Sequence, residues 1–157
     1  GFGFGLLLLV VGAWICRKAA IVGVDDGGST DEGPVDFGVL LSGVRDEIAT
    51  LSNDMGSLEE PTTDALDDFK SRLEDVQKGD MARLCASGPM VQRRYGLQGM
   101  ATLFSPLSAA ERKMNRAWAA LVDRHWPESL GSVQGAAEDL RVALSELEEL
   151  QDSYRSA

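Results

Sequence analysis

Few side chains in this sequence could do chemistry, and their spacing argues against most of the reactions they could support. His125 is the sole histidine, so neither a histidine-ligated metal or haem nor a histidine-pair relay has the second imidazole it needs. Lying beside Trp126, it reads as a helix-end or core residue. Cys16 closes an apolar run and Cys85 lies far along the chain. They supply no zinc-finger spacing, and a disulfide between them is not expected. Free thiols suit a reducing compartment, and Cys16 stands where S-palmitoylation can occur if the following domain is cytoplasmic. The acidic pairs Asp67-Asp68 and Glu148-Glu149 are sequence neighbours. On a helix such neighbours diverge, so they read as solvated faces rather than as an acid and base aimed at one substrate. Nothing has the pattern of a phosphate loop or a nucleophile elbow. The expectation is a chain that is not an enzyme and that carries no catalytic, cofactor or metal residues.

Binding is the chemistry that remains, and charge directs it. The net charge is −10, which opposes association with nucleic acid and nonspecific association with anionic lipid. The charge is uneven. Residues 25–80 hold 16 acids and 4 bases, residues 81–126 hold 2 acids and 7 bases, and residues 127–157 hold 7 acids and 2 bases. A basic segment between two acidic ones has two readings. Its cations can complement acidic helices of the same bundle, or they can face an acidic partner. Arg93, Arg94, Arg112, Lys113 and Arg116 are the candidates for the second role.

The elements that position these residues begin with an anchor. Residues 2–16 carry no charge and include four consecutive leucines; Arg17 and Lys18 follow, then apolar residues to Val24. A membrane-spanning helix needs about 20 apolar residues. The run reaches that length if the two cations snorkel to the headgroups, where Trp14 suits the interfacial belt. A cleaved signal peptide, a lipoprotein and a type IV pilin each fit less well, because Ile15 precedes Cys16 and Gly5 stands where a pilin carries glutamate. The basic pair on the C-terminal flank places the following domain in the cytoplasm by the positive-inside rule. Gly5, Gly12, Cys16, Ala20 and Gly23 recur at spacings of seven, four, four and three. They form a small-residue face of the kind that lets membrane helices pack closely.

Residues 25–34, Asp-Asp-Gly-Gly-Ser-Thr-Asp-Glu-Gly-Pro, read as an acidic flexible linker without the ligand order of a calcium loop. Phe37, Leu41, Val44, Ile48, Leu51, Met55 and Leu58 then alternate at four and three, a heptad seam suited to bundle or coiled-coil packing. Pro61 interrupts it. Leu66, Phe69, Leu73 and Val76 mark a second helix stopped at Gly79, forming a hairpin with the first. Residues 85–106, punctuated by Gly88-Pro89, Gly96, Gly99 and Pro106, are expected to form at most short helices. Ser108 to Glu111 has the form of a capping box. It opens a helix that buries Met114, Ala117, Trp118, Leu121, Val122 and His125 and ends at Pro127. A last helix buries Leu130, Val133, Ala137, Leu140, Leu144, Leu147 and Tyr154.

The fold expected is all-α: a single N-terminal transmembrane helix (1–24), a linker (25–34), and a small helical-bundle domain of about four helices (35–157). The function expected is that of a non-catalytic accessory or scaffold subunit of a larger membrane protein complex. Its anchor would meet the lipid bilayer and the other transmembrane subunits. A homo-oligomeric coiled-coil-like tether and a membrane-bound adaptor for an acidic protein client are the alternatives.

Overall fold

The computed structural model describes residues 36–156. The anchor, the linker and the glycine face, including Gly5, Gly12, Cys16, Ala20 and Gly23, lie outside the described residues. Among the described residues the fold is a helical bundle without strands, and no helix is long and apolar enough to cross a membrane.

Helix α1 (Phe37–Gly56) starts where the Asp36 carboxylate accepts a hydrogen bond from the Gly38 amide at 2.8 Å. This satisfies one of the donors that a helix start leaves open. Its heptad seam is dry along its centre: Leu41, Val44, Ile48 and Met55 have no solvent exposure. Leu58 departs from that pattern. Helix α1 has ended at Gly56, and Leu58 stands in the following turn, 37% exposed.

Helix α2 (Thr63–Val76) is capped by the Thr62 hydroxyl, which accepts from the Ala65 amide at 3.3 Å. It buries the expected Leu66, Phe69, Leu73 and Val76. Gly79 breaks the helical backbone (φ −91°, ψ −107°) inside a π-turn, Gln77–Met81, but does not stop the chain from coiling. A short helix α3 (Ala82–Ala86) follows, because Met81 and Leu84 are drawn into the core.

The largest difference from expectation lies in α4 (Gly88–Val122), which is two helices meeting at Gly96, a short one over 88–95 and a long one over 97–122. The glycines and prolines of 85–106 keep the helices short as far as Gly96, but not beyond it. Pro89 occupies the first turn, where its missing N–H costs nothing. Pro106 sits inside the helix, a position that costs about 3 kcal/mol in isolation. The stripe Gly99, Leu103, Leu107, Ala110, Met114, Ala117 and Leu121 is buried on both sides of it and carries the helix through. Ser108 and Glu111 are therefore mid-helix residues and cap nothing. The deviation that matters is Gly96, whose φ of 73° and ψ of 178° are not helical.

Gly96 turns the chain back on itself. A Cβ on Gly88 would lie 3.6 Å from Phe104 Cζ. Along a straight helix those sixteen residues would rise about 24 Å, more than a phenylalanine side chain can span. Residues 88–95 therefore fold against the start of 97–122 as a helical hairpin with Gly96 at its tip. Gly99 makes the return possible, since a Cβ there would stand 2.6 Å from Tyr95 Cβ.

Helix α4 ends at Val122, with Arg124 in the left-handed region (φ 57°). Pro127 therefore opens α5 (Trp126–Arg155) within its first turn and does not terminate the helix before it. Helices α4 and α5 run antiparallel: the Ser129 hydroxyl donates to Ala117 O at 3.2 Å, and Leu150 reaches Gly99. Small residues line this contact. Ser129, Ser132, Ala136 and Ala143 of α5 are buried, as are Gly99, Ala110, Ala117 and Ala120 of α4. The α5 stripe buries Val133, Leu140 and Leu147 as expected, but alternates them with Ser129, Ala136 and Ala143, leaving Leu130, Ala137 and Leu144 half-buried and Tyr154 57% exposed. Trp118 is also half-buried, while Val122 and His125 are exposed, so the end of the α4 stripe lies earlier than expected.

Candidate functional site

Two regions of the bundle gather polar chemistry, the α4–α5 corner and the hairpin tip. At the corner, α4 presents Arg116 and α5 presents Glu128, one turn beyond the His125 that precedes it. One Glu128 oxygen accepts from Arg116 Nε at 2.7 Å, and the other lies 2.9 Å from His125 Nδ1. The hydrogen bond with His125, then that from Arg116, holds the Glu128 carboxyl below the usual carboxylate range. A turn further along the same interface, Lys113 Nζ lies 2.7 Å from Asp139 Oδ2 in an ion contact. Its hydrogen bond goes to the Gly135 carbonyl at 3.2 Å. Arg116, His125 and Glu128 border an open hollow of about 370 Å³, whose lining is completed by Ala119, Ala120 and Asp123. Of the charges that wall it, Arg116 and Glu128 already neutralise one another. Both Glu128 oxygens are engaged, which leaves it poorly placed to take a proton from a substrate.

A second internal junction ties α2 to α4. The Trp118 indole donates to Glu74 Oε1 at 2.7 Å, and Lys78 Nζ lies 2.9 Å from Glu74 Oε2. The hydrogen bond from Lys78, then that from Trp118, lowers the Glu74 carboxyl from its ordinary value. Gln77 of the π-turn donates to Asn115 at 2.8 Å. Among the described residues no group of three His, Cys, Asp or Glu is placed to hold a metal ion.

The tip is different in kind. Arg93, Arg94, Gly96, Leu97 and Gln98 are all exposed there. Leu97 keeps 66% of its surface in solvent, as Val39 of α1 keeps 71%, and single exposed apolar residues of this kind are ordinary on a folded surface. Tyr95 turns inward and meets Tyr154 of α5 edge-on, with ring centroids 5.5 Å apart. The Arg94 guanidinium lies 5.3 Å from the Tyr95 ring centroid, within reach of the ring's negative face.

The five cations singled out from the sequence therefore do not make one surface. Arg93 and Arg94 stand at the tip. Arg112, Lys113 and Arg116 lie on the far stretch of α4, four to five helical turns away by the ordinary rise. Lys113 and Arg116 serve α5, which is the intramolecular pairing that the alternating charge blocks allowed. Among the described residues Arg93 and Arg112 have no ion-pair partner. Sequence reasoning missed Leu97 and Gly96 as parts of one feature. The available signal was an apolar residue directly after a glycine that the stripe 99–103–107–110 leaves outside its face.

Compared with protein-family models, with curated proteins and with solved structures, the chain matches none.

Proposed function

We propose that this chain is a non-catalytic accessory or scaffold subunit of a larger membrane complex, held to the bilayer by a transmembrane helix within residues 1–24. One observation carries the reading, the order of physical character along the chain. An uncharged leucine-rich run closed by Arg17 and Lys18 is followed by an acidic linker. Then comes a helix capped by Asp36 that opens a dry-cored bundle. The small-residue face of Gly5, Gly12, Cys16, Ala20 and Gly23 would receive another membrane helix, and the bundle would stand in the cytoplasm.

Alkaline washing of membranes from cells expressing the chain tests the anchor. The full chain is expected to stay with the membrane, and a variant lacking residues 1–24 to leave it. A full chain recovered in the wash would end the reading.

The bundle narrows the two alternatives. The seam from Phe37 to Met55 is filled from within the chain, so a homo-oligomeric tether would have to associate through another face. An adaptor for an acidic client would rely on Arg93, Arg94 and Arg112, since Lys113 and Arg116 are engaged by α5.

A further inference from the structure

Residues 80–95 are set apart from the rest of the bundle by their backbone. At one end Gly79 leaves the helical region (φ −91°, ψ −107°), and at the other Gly96 does so (φ 73°, ψ 178°). Between these breaks lie α3, of 5 residues, and the short helix over 88–95. Helices below about 12 residues are marginal in water without tertiary support, whereas α1 and α5 run for 20 and 30 residues. Ser87 knits the two short pieces together. Its hydroxyl and its amide both donate to Leu84 O, at 2.6 and 3.1 Å. Its carbonyl accepts from the Met90 and Val91 amides, each at 3.0 Å. Arg83 also pairs with Asp80 at 3.2 Å inside the same segment.

We infer that residues 80–95 are a strap that opens and closes against α4 and α5 as one piece, hinged at Gly79 and Gly96, while the rest of the bundle stays folded. Glycine at both hinges leaves the backbone free to rotate there. The strap is held to the bundle by Met81, Leu84, Val91 and Tyr95, all buried. Gly88 rests against Phe104, Tyr95 meets Tyr154 edge-on, and Cys85 Sγ lies 3.9 Å from Glu111 Oε2. Opening gives up these contacts and breaks no turn of α1, α2, α5 or the 97–122 helix. Detaching any of those elements would instead unravel a longer helix together with its buried stripe. Cooperative opening follows such boundaries, with the smaller unit released at lower free energy than the whole. The opened strap bares the Phe104 ring and the Glu111 carboxylate, a face of α4 that the closed bundle covers. It operates in the same way with or without a membrane beside it.

Native-state hydrogen exchange of the full chain in mild detergent tests the strap, read by mass spectrometry over a series of sub-denaturing urea concentrations. Amides of 82–95 are expected to exchange together, on the order of a hundredfold or more faster than the slowest amides of α1 and α5. Their rate should rise with urea at roughly a fifth of the global slope, because opening exposes a small part of the surface that unfolding exposes. Leu121 is buried at the far end of α4. Leu121→Ala should therefore quicken exchange in α1 and α5 by about thirtyfold or more and leave 82–95 unchanged. Should that variant fail to fold, the urea slopes of the parent chain decide alone. Trypsin should cut after Arg83 with the same shallow dependence on urea.

Exchange of 82–95 that matches α1 and α5 in rate and in urea slope would overturn the strap. Separate slopes for 82–86 and 88–95 would overturn its being one piece. Exchange of 97–104 together with 82–95 would overturn the hinge at Gly96.

Discussion

Single residues in this bundle do unequal amounts of work, and Gly96 and Glu74 show the two extremes. Gly96 touches nothing that a Cβ would strike, so its role is conformational. Its φ and ψ lie where a side chain costs on the order of 1–3 kcal/mol. Gly96→Ala is therefore expected to lose about that much stability in urea unfolding, and to loosen the Tyr95–Tyr154 contact before the core. Glu74 acts through its partners. With its carboxyl held below its ordinary value by Lys78 and Trp118, it stabilises the fold when ionised. That contribution is present above the unfolded carboxylate range near pH 4.5 and is lost as pH falls through the lowered folded value. Trp118→Phe keeps the ring but removes the indole donor. The thermal melting gap between the variant and the parent should be widest near pH 7 and should shrink below pH 4. A gap that does not change with pH would show that the indole hydrogen bond is not what matters there.

At the scale of elements, legibility in the sequence followed the size of the buried side chains. Helices α1 and α2 were plain because large apolar residues mark every turn of their inner faces. The register of α5 was read one residue off in places. Its inner line runs through Ser129, Ala136 and Ala143, which look like surface or filler until α4 brings its own glycine and alanines against them. This close approach is a packing constraint. Ala136→Leu is expected to cost about 1–3 kcal/mol by overcrowding, whereas the same change at exposed Ala101 should be nearly neutral, as paired urea titrations would show.

In the stretch 85–106 the breakers act as expected up to Gly96, with short helices over 82–86 and 88–95, and fail only from 97 onward. The continuous stripe from Gly99 to Leu121 outweighs them collectively. The capping box at Ser108 was a correct local pattern without a helix end to act on. Of the candidate site, the cations were legible but their grouping was not. Two arginines near the front of α4 and three cations further along belong together in sequence, while the fold spends Lys113 and Arg116 on α5 and leaves the tip pair exposed. The reversal at Gly96 depends on tertiary contact between 88–95 and 97–104, and no local propensity announces it.

For the whole molecule, charge and apolar character are separated along the chain. The bundle holds its core dry and balances much of its surface internally through pairs such as Arg72–Asp54 at 2.7 Å and Arg116–Glu128 at 2.7 Å. Both pairs are well exposed, so they contribute little to stability individually and matter more for fixing how helices meet. A molecule built this way has most to gain from being positioned by something else, which is the role of the N-terminal run in the proposed function. The central claim is therefore association with other membrane subunits. It is tested most directly by dissolving native membranes in mild detergent, capturing the full chain through the bundle, and identifying what elutes and at what mass. The account expects unrelated integral membrane proteins in fixed stoichiometry, lost when Gly5 and Gly12 are replaced by leucine while the bundle's helical signal is unchanged. The chain eluting alone, or only with copies of itself, would contradict it.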